Sequence, residues 1–437
     1  MAAPDPTNLA QALASASATQ PVWVRAGELL DGGCGQPLRP AHLVYDAAGI
    51  RYAGPDDRPP VREILRPGQS APDVDLPGYT VLPGLIDAHT HLFLDGAPVD
   101  LGVRKEYLER SPAQFLERAA GRLQKLIGLG VTGMRDAGDR AGVGPALQAG
   151  YRENGKNGTL WPYIDSPGAG IHHKGRYGAF FATPIENYGS PEDCVEARRA
   201  EGAYRIKLVP TGIINLEKGG VFAAPQMTRD ELEVFVRAAR ARGMQTLAHA
   251  SGEQGVGYAI EAGVDSIEHG YFITTEQLAG LRDRGAAWVP TFAPVQAQLD
   301  NAAELGWGQQ VITNLRKILD GHAASLRLAC RMGVAVVAGS DAGSAGVPHG
   351  LGLLRELELM EQAGMPTLAV IHAATGGSAA RLGYGDPIGR LAPGAKARLI
   401  FIGNAPLQTV ASLRRERITV FDGRAFTSHG NEQTDGL

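Results

Sequence analysis

Four histidines, one lysine and one aspartate share a position in this sequence, since each stands at or near the end of a short apolar run. His89 and His91 fall in "VLPGLIDAHTHLFLDG", Lys207 in "YRIKLVP", His249 in "MQTLAHAS", His269 in "VDSIEHG" and Asp341 in "VAVVAGSDAG". If these runs are strands, successive side chains alternate between faces, so His89 and His91 point the same way and one metal ion can take both. A His-X-His at a strand end also fits plain polar surface, and single histidines are commonly satisfied otherwise. The joint pattern weighs against both, because four of the eleven histidines occupy such ends together with one Asp and one Lys. Imidazole nitrogen and carboxylate oxygen suit zinc or a neighbouring divalent ion with a position open for water. Asp87 shares the face of His89 and His91 but lies deeper, where a hydrogen bond to an imidazole is the role expected of it.

Lys207 is the odd member, because an ammonium is repelled by divalent cations. Burial and nearby positive charge favour its neutral amine. That amine can add carbon dioxide to give a carbamate whose two oxygens could bridge two ions. A lysine pairing with a substrate anion or an acidic neighbour is the alternative.

The elements that must position these residues follow from the pattern. Further apolar runs are "GVTGMRDAG", "WPYIDS" and "AAWVPTF", and between the runs lie helical segments with clear starts. Ser111-Pro112 and Ser190-Pro191 each pair an N-cap with a proline in the first turn. Thr228 with Glu231, and Thr274 with Gln277, form capping-box patterns, and Gly243 stops the helix after Thr228. With the opening strand this makes eight strands alternating with helices over about residues 79–375, the length of a (β/α)8 barrel. A doubly wound sheet would want a glycine-rich phosphate loop after its first strand, and none is present. The flanks, 21–78 and 384–437, are short apolar runs broken by Gly, Pro and Asp, which reads as one small β-domain split between the two ends. The expected fold is therefore α/β, a TIM barrel over 79–383 with a β-sandwich from both termini, and 1–20 as a loosely held leading segment.

Composition narrows the class. The 437 residues carry a net charge of −4, with 46 acidic and 42 basic residues well mixed, so no nucleic-acid partner is expected. Three cysteines are too few for a disulfide framework or a Cys-based zinc site. Neither a secretory leader nor an apolar run of about 18 residues occurs, so a cytoplasmic protein without a membrane partner is expected.

The motifs "PGLIDAHTHLFLDG", "GVTGMRDAG", "YRIKLVPTG", "TLAHASGEQGVGYAIEAGVDSIEHG", "VAVVAGSDAGSAGVPHG" and "HAATGGSAARLGYGDPIGRLAPGAKARLIFIGNAPL" together resemble the amidohydrolase superfamily in its two-metal subtype, within the imidazolonepropionase-like and prolidase-like branch. The resemblance covers nearly the whole chain after about residue 20. It implies that His89, His91 and Asp341 bind a more buried ion, His249 and His269 a more exposed one, and a carboxylated Lys207 both. Imidazolonepropionase uses one metal and has no such lysine, so Lys207 points to the peptidase-like relatives. Two departures occur: "AGIHHKGRYGAFF" replaces the usual Gly-Gly-His-Gly, leaving His172 and His173 as alternatives for its histidine, and Ala397-Arg398-Leu399 replaces Ala-Asp-Leu.

The implied activity is hydrolysis of an amide C–N bond in a small molecule such as a dipeptide or N-acyl amino acid. Two zinc ions would make a bridging water nucleophilic, while Asp341 takes its proton and returns it to the leaving nitrogen. Hydrolysis of a carbamate, urea, cyclic amide or amino-heteroaromatic ring, xenobiotics included, is the alternative. Substrate contacts are expected from His172, His173, Arg176, Tyr177, Thr211, Tyr271 and His349, with Arg176 as a carboxylate clamp. A homo-oligomer is expected.

Overall fold

The computed structural model describes residues 6–14, 20–153, 160–384, 387–403 and 407–428. It divides into two compact units, one of Met1–Ile86, Leu123–Gly133 and Pro366–Leu437, the other of Asp87–Arg122 and Met134–Met365.

The second unit contains the chemistry-bearing residues. Strands Gly170–His172, Arg205–Leu208, Gln245–Ala250, Ser266–His269, Ala287–Val289 and Ala335–Val336 run parallel side by side. Parallel neighbours need long crossovers, and those after Arg205–Leu208 contain the helices Arg229–Arg240, Glu253–Ala262, Thr275–Arg284 and Gln309–Met332. Ile206, Leu208, Leu247, Ala248, Ile267 and Trp288 are all fully buried. That explains why these strands read as continuous apolar runs rather than alternating ones.

A three-stranded sheet is formed by Leu85–Thr90, Val131–Asp136 and Tyr163–Asp165. The third expected strand, "WPYIDS", stops at Asp165 because Pro167 has no N–H for a ladder and Gly168 takes φ +65°. The chain resumes as Gly170–His172, and it is this second piece that pairs with Arg205–Leu208, through Leu208 opposite Ile171.

Helix starts follow the capping chemistry read from the sequence. Ser190 Oγ accepts from the Asp193 amide at 3.1 Å, and Thr228 Oγ1 from the Glu231 amide at 3.2 Å. Thr274 and Gln277 close a reciprocal capping box.

In the first unit, strands from both chain ends form one seven-stranded mixed sheet. Its central strand Val74–Pro83 lies parallel to Val22–Leu29 and antiparallel to Arg398–Gly403. Val24, Leu43, Leu399 and Phe401 are buried there. Residues Pro6–Ala14 correct the expectation of a loose leading segment: they form a helix whose Leu9 and Leu13 join this core, an amphipathic anchor too short to stand out in sequence. Residues 1–5 and 15–19 lie outside the described residues. Arg398, the departure noted above, pairs with Asp422 at 3.0 Å and lies 4.3 Å from the Phe421 ring centroid. Among the described residues no helix is long and apolar enough to cross a membrane.

Thr274→Ala removes one half of the capping box. It should lower stability by about 1 kcal/mol in denaturant titration while leaving bound metal unchanged.

Candidate metal centre

The six residues come together because the strands that carry them end at one place. Asp341 N–H donates to His89 O at 2.7 Å, and Ala88 N–H to Ala338 O at 3.0 Å, which brings the first strand beside the segment after Ala335–Val336. Gly339 permits this approach, since a Cβ there would stand 2.8 Å from the His89 nitrogen. His249 lies opposite Glu268 and Ala250 opposite His269, while Lys207 lies opposite Leu247.

Three non-glycine residues at these ends have left-handed backbone: His269 (φ 67°), Thr291 (φ 51°) and Asp341 (φ 55°). Such a conformation costs on the order of 1–3 kcal/mol for a side-chain-bearing residue and persists only where its surroundings fix it. Here it redirects the side chains of His269 and Asp341. Strict alternation would send Glu268 and His269 to opposite faces, yet both reach His89, Glu268 by a hydrogen bond and His269 with ring centroids 4.9 Å apart.

His89, His91 and Asp341 can offer one ligand atom each within 4.8 Å of one another. Asp341 Oδ1 lies 3.4 Å from His89 Nε2 and 3.5 Å from His91 Nε2. The other ring nitrogens are engaged: His91 Nδ1 donates to Gly138 O at 3.0 Å, and His89 Nδ1 to Glu268 Oε2 at 2.5 Å. Beside them the rings of His249 and His269 are 4.5 Å apart. His249 Nε2 faces Gly212 O at 3.4 Å and His269 Nδ1 faces Thr291 Oγ1 at 2.8 Å, leaving Nδ1 of the first and Nε2 of the second for a ligand.

Buried His89 Nε2, Asp341 Oδ1 and Lys207 Nζ have no hydrogen-bond partner. Two orphaned lone-pair atoms, His89 Nε2 and Asp341 Oδ1, demand an explanation, and a cation with nitrogen and oxygen ligands supplies one. Burial drives His91 down to about 4, His249 to about 3 and His269 well below its ordinary value, so all three are neutral, the form that binds metal. Burial likewise pulls Lys207 down to about 8. For Asp341 burial favours the neutral acid, but the His89 and His91 imidazoles facing it and the Ser344 hydroxyl favour the carboxylate and hold it at about 2.

Behind the candidate ligands lies a pair of buried charged residues that the sequence reading missed. Arg135, almost fully buried, donates from Nη2 to both oxygens of Glu268 at 2.8 Å and from Nε to Ala88 O at 2.6 Å. Burial opposes the charge of Glu268, yet Arg135 and the His89 imidazole keep its carboxylate well below the usual range. A charged acceptor forces the His89 proton onto Nδ1 and leaves Nε2 as a lone pair. The signal was the acid beside a ligand in "SIEHG", masked by the expectation of alternation. Asp87 differs from its expected role: it binds no imidazole ring but accepts from the Ser340 amide at 2.9 Å, the Ser340 hydroxyl at 2.5 Å and the His89 amide at 3.3 Å.

A cavity of about 580 Å³ opens over His249, His269 and Asp341. Of the expected substrate contacts it is lined by Tyr177, whose ring lies 5.2 Å from that of His249, and by Tyr271, whose hydroxyl donates to Thr291 O at 2.8 Å. Thr211 stands behind His249, donating to its carbonyl at 3.3 Å. His349 is buried against His91 O at 3.2 Å. His172 is buried with both ring nitrogens unpartnered, and is not among the cavity-lining residues. His173 is held between Glu186 at 2.8 Å and Glu231 at 3.0 Å, carboxylates that draw it away from the cavity. The clamp expected of Arg176 is corrected too, because that exposed side chain donates to Ala224 O at 2.8 Å and does not line the cavity. Arg104 does line it.

Glu268→Gln should weaken metal binding about 10- to 100-fold in competition with a chelator. An unchanged metal affinity would show that Glu268 does not orient His89.

The amidohydrolase family profile matches residues 80–425. An ochratoxinase of Aspergillus niger is 28% identical over 429 residues, covering 91% of this chain and 84% of that protein. The imidazolonepropionase of Salinispora arenicola is 26% identical over 399 residues, covering 85% and 88% respectively. Among solved structures, a Xaa-Pro dipeptidase with methionine bound in its active site superposes with a TM-score of 0.74 at 25% identity, over 94% of this chain and all of the other. With the profile spanning most of the chain and the clustered strand-end residues inside it, the chain belongs to the amidohydrolase family.

Proposed function

We propose that this protein hydrolyses an amide C–N bond in a small molecule such as a dipeptide or an N-acyl amino acid. The observation that carries the reading is the set of buried, unpartnered atoms His89 Nε2, Asp341 Oδ1 and Lys207 Nζ beside His249 and His269, with His249, His269 and Asp341 lining the cavity. The similarity to a Xaa-Pro dipeptidase and to an ochratoxinase supports a C–N hydrolase. In this reading the parallel strands close into a (β/α)8 barrel, helped by the bonds between the first strand and residues 338–342, and the chain ends form a β-sandwich.

His89, His91 and Asp341 would hold one divalent ion, His249 and His269 a second, with a carboxylated Lys207 serving both. Zinc is the expected metal, and the pair would supply the Lewis acidity that makes water nucleophilic at neutral pH and polarises the scissile carbonyl. Asp341 orients the attacking water through Oδ1, while its Oδ2 is steadied by the Ser344 hydroxyl at 3.0 Å. As the new C–O bond forms, Asp341 takes the water proton. As the C–N bond breaks, it delivers that proton to the leaving nitrogen. The Tyr177 phenol, kept protonated by burial, is a donor in the cavity wall for the substrate carbonyl. A cytoplasmic homo-oligomer acting without nucleic-acid or membrane partners completes the reading.

One feature favours the second reading, hydrolysis of an uncharged carbamate, urea, cyclic amide or amino-heteroaromatic ring: the cavity wall is largely apolar, with Ile213, Ile214, Leu216, Val295 and Trp307. Turnover of dipeptides and N-acyl amino acids set against aryl carbamates and ureas by metal-replete protein decides between them.

Metal analysis after growth with zinc should give two equivalents per chain, and fewer than one would sink the two-metal reading. Asp341→Asn should lower kcat about 100- to 10,000-fold. Lys207→Ala should lose activity, with partial recovery in small carboxylic acids, and a fully active Lys207→Ala protein would refute its role in holding the ions.

A further inference from the structure

Among the described residues lining the cavity, Arg104 is the one cationic side chain, and it is held in an unusual way. It projects from the helix Leu101–Tyr107. Its Nη1 donates to the carbonyls of Asp95 at 2.9 Å and Pro98 at 3.3 Å, and its Nη2 to Gly343 O at 2.9 Å, two residues beyond Asp341. These partners are neutral oxygens. They fix the guanidinium in space without neutralising it, although burial works against its charge. Asp95 and Asp341 act on it at longer range, and Glu217 is an acid on the same cavity wall. A positioned, half-buried guanidinium without a contacting carboxylate is suited to receive one from a ligand.

The remainder of the wall sets the other half of the ligand. Ile214 and Leu216 pack against the cluster of Tyr271, Val295, Leu315 and Ile318, and Asn314 Nδ2 donates to the carbonyls of Leu216 at 2.9 Å and Glu217 at 2.8 Å. Their neighbour Ile213 is left 63% exposed while lining the cavity. An apolar side chain kept in water on a pinned loop gains from any apolar group laid over it.

We propose that Arg104 reads the carboxylate of the substrate while Ile213, Ile214 and Trp307 receive a bulky apolar or aromatic group. The substrate class is then a dipeptide or N-acyl amino acid bearing a large hydrophobic group, rather than a small polar dipeptide or an uncharged amide. This rests on the amide-hydrolase reading above, which it narrows.

The test uses metal-replete protein with N-benzoyl-phenylalanine and N-benzoyl-phenylalaninamide, following benzoate release, and with N-acetylalanine as the small acid. The wild-type protein should prefer the benzoyl acid to its amide in kcat/KM by about 10- to 100-fold. Arg104→Gln should erase that ratio and Arg104→Lys restore part of it. Ile213→Ser, at an exposed position, should raise KM for N-benzoyl-phenylalanine about tenfold relative to N-acetylalanine. Recognition is read separately by calorimetry of 3-phenylpropanoate and 3-phenylpropanamide, where no bond is cleaved. If nothing is hydrolysed but the acid binds in preference and Arg104→Gln removes the preference, the hydrolase reading fails and the recognition proposal stands. Equal handling of acid and amide by the wild-type protein, or an acid preference that survives in Arg104→Gln, overturns the proposal.

Discussion

A carboxylate with no exposed surface, Glu268, lies between a guanidinium and an imidazole, and the site depends on that arrangement. Either charge buried alone would cost several kcal/mol, so Arg135 and Glu268 are tolerable only together, and the His89 Nδ1–H satisfies the carboxylate further. Arg135 also reaches Ala88 O and the Ser266 hydroxyl, which ties the strands Leu85–Thr90, Val131–Asp136 and Ser266–His269 to one point. The same bonds fix the His89 tautomer. Electrostatics that would be a liability elsewhere here serve to direct a lone pair.

The Asp87–Ser340 contact does the corresponding work on the other side, joining the first strand to the segment that carries Asp341. Gly339 makes this possible by omitting a Cβ where the His89 backbone passes. Precision at the centre therefore comes from buried polar contacts and a close backbone approach rather than from long regular elements, since several contributing strands are only two to four residues long.

Much of the architecture was legible in sequence because capping residues and apolar runs act locally. Thr274 with Gln277 and Thr228 with Glu231 declared their helices, and the strand-end residues stood out against apolar neighbours. What escaped depends on three-dimensional context. Glu268 and Arg135 are charged residues inside apolar runs, and nothing local shows that they meet. Arg176 was the expected carboxylate partner and Arg104 carried no signal in sequence, and only the folded path of the chain turns one toward the Ala224 carbonyl and the other into the cavity. The short strand Gly170–His172 escaped because the proline and glycine after "WPYIDS" do not reveal from sequence that the chain will restart in a different pairing.

The left-handed residues at the strand ends also separate two kinds of sequence freedom. At His269, Thr291 and Asp341 the chain has already turned out of its strand, and the residues just beyond, Tyr271, Pro294 and Ser344, form cavity wall. The direction of the His269 and Asp341 side chains is thus set by a backbone torsion where each loop begins. Diversification of wall positions downstream of those three residues, Ser344 and Tyr271 excepted because they hold Asp341 and Thr291, would sample new cavity walls over unaltered strand ends.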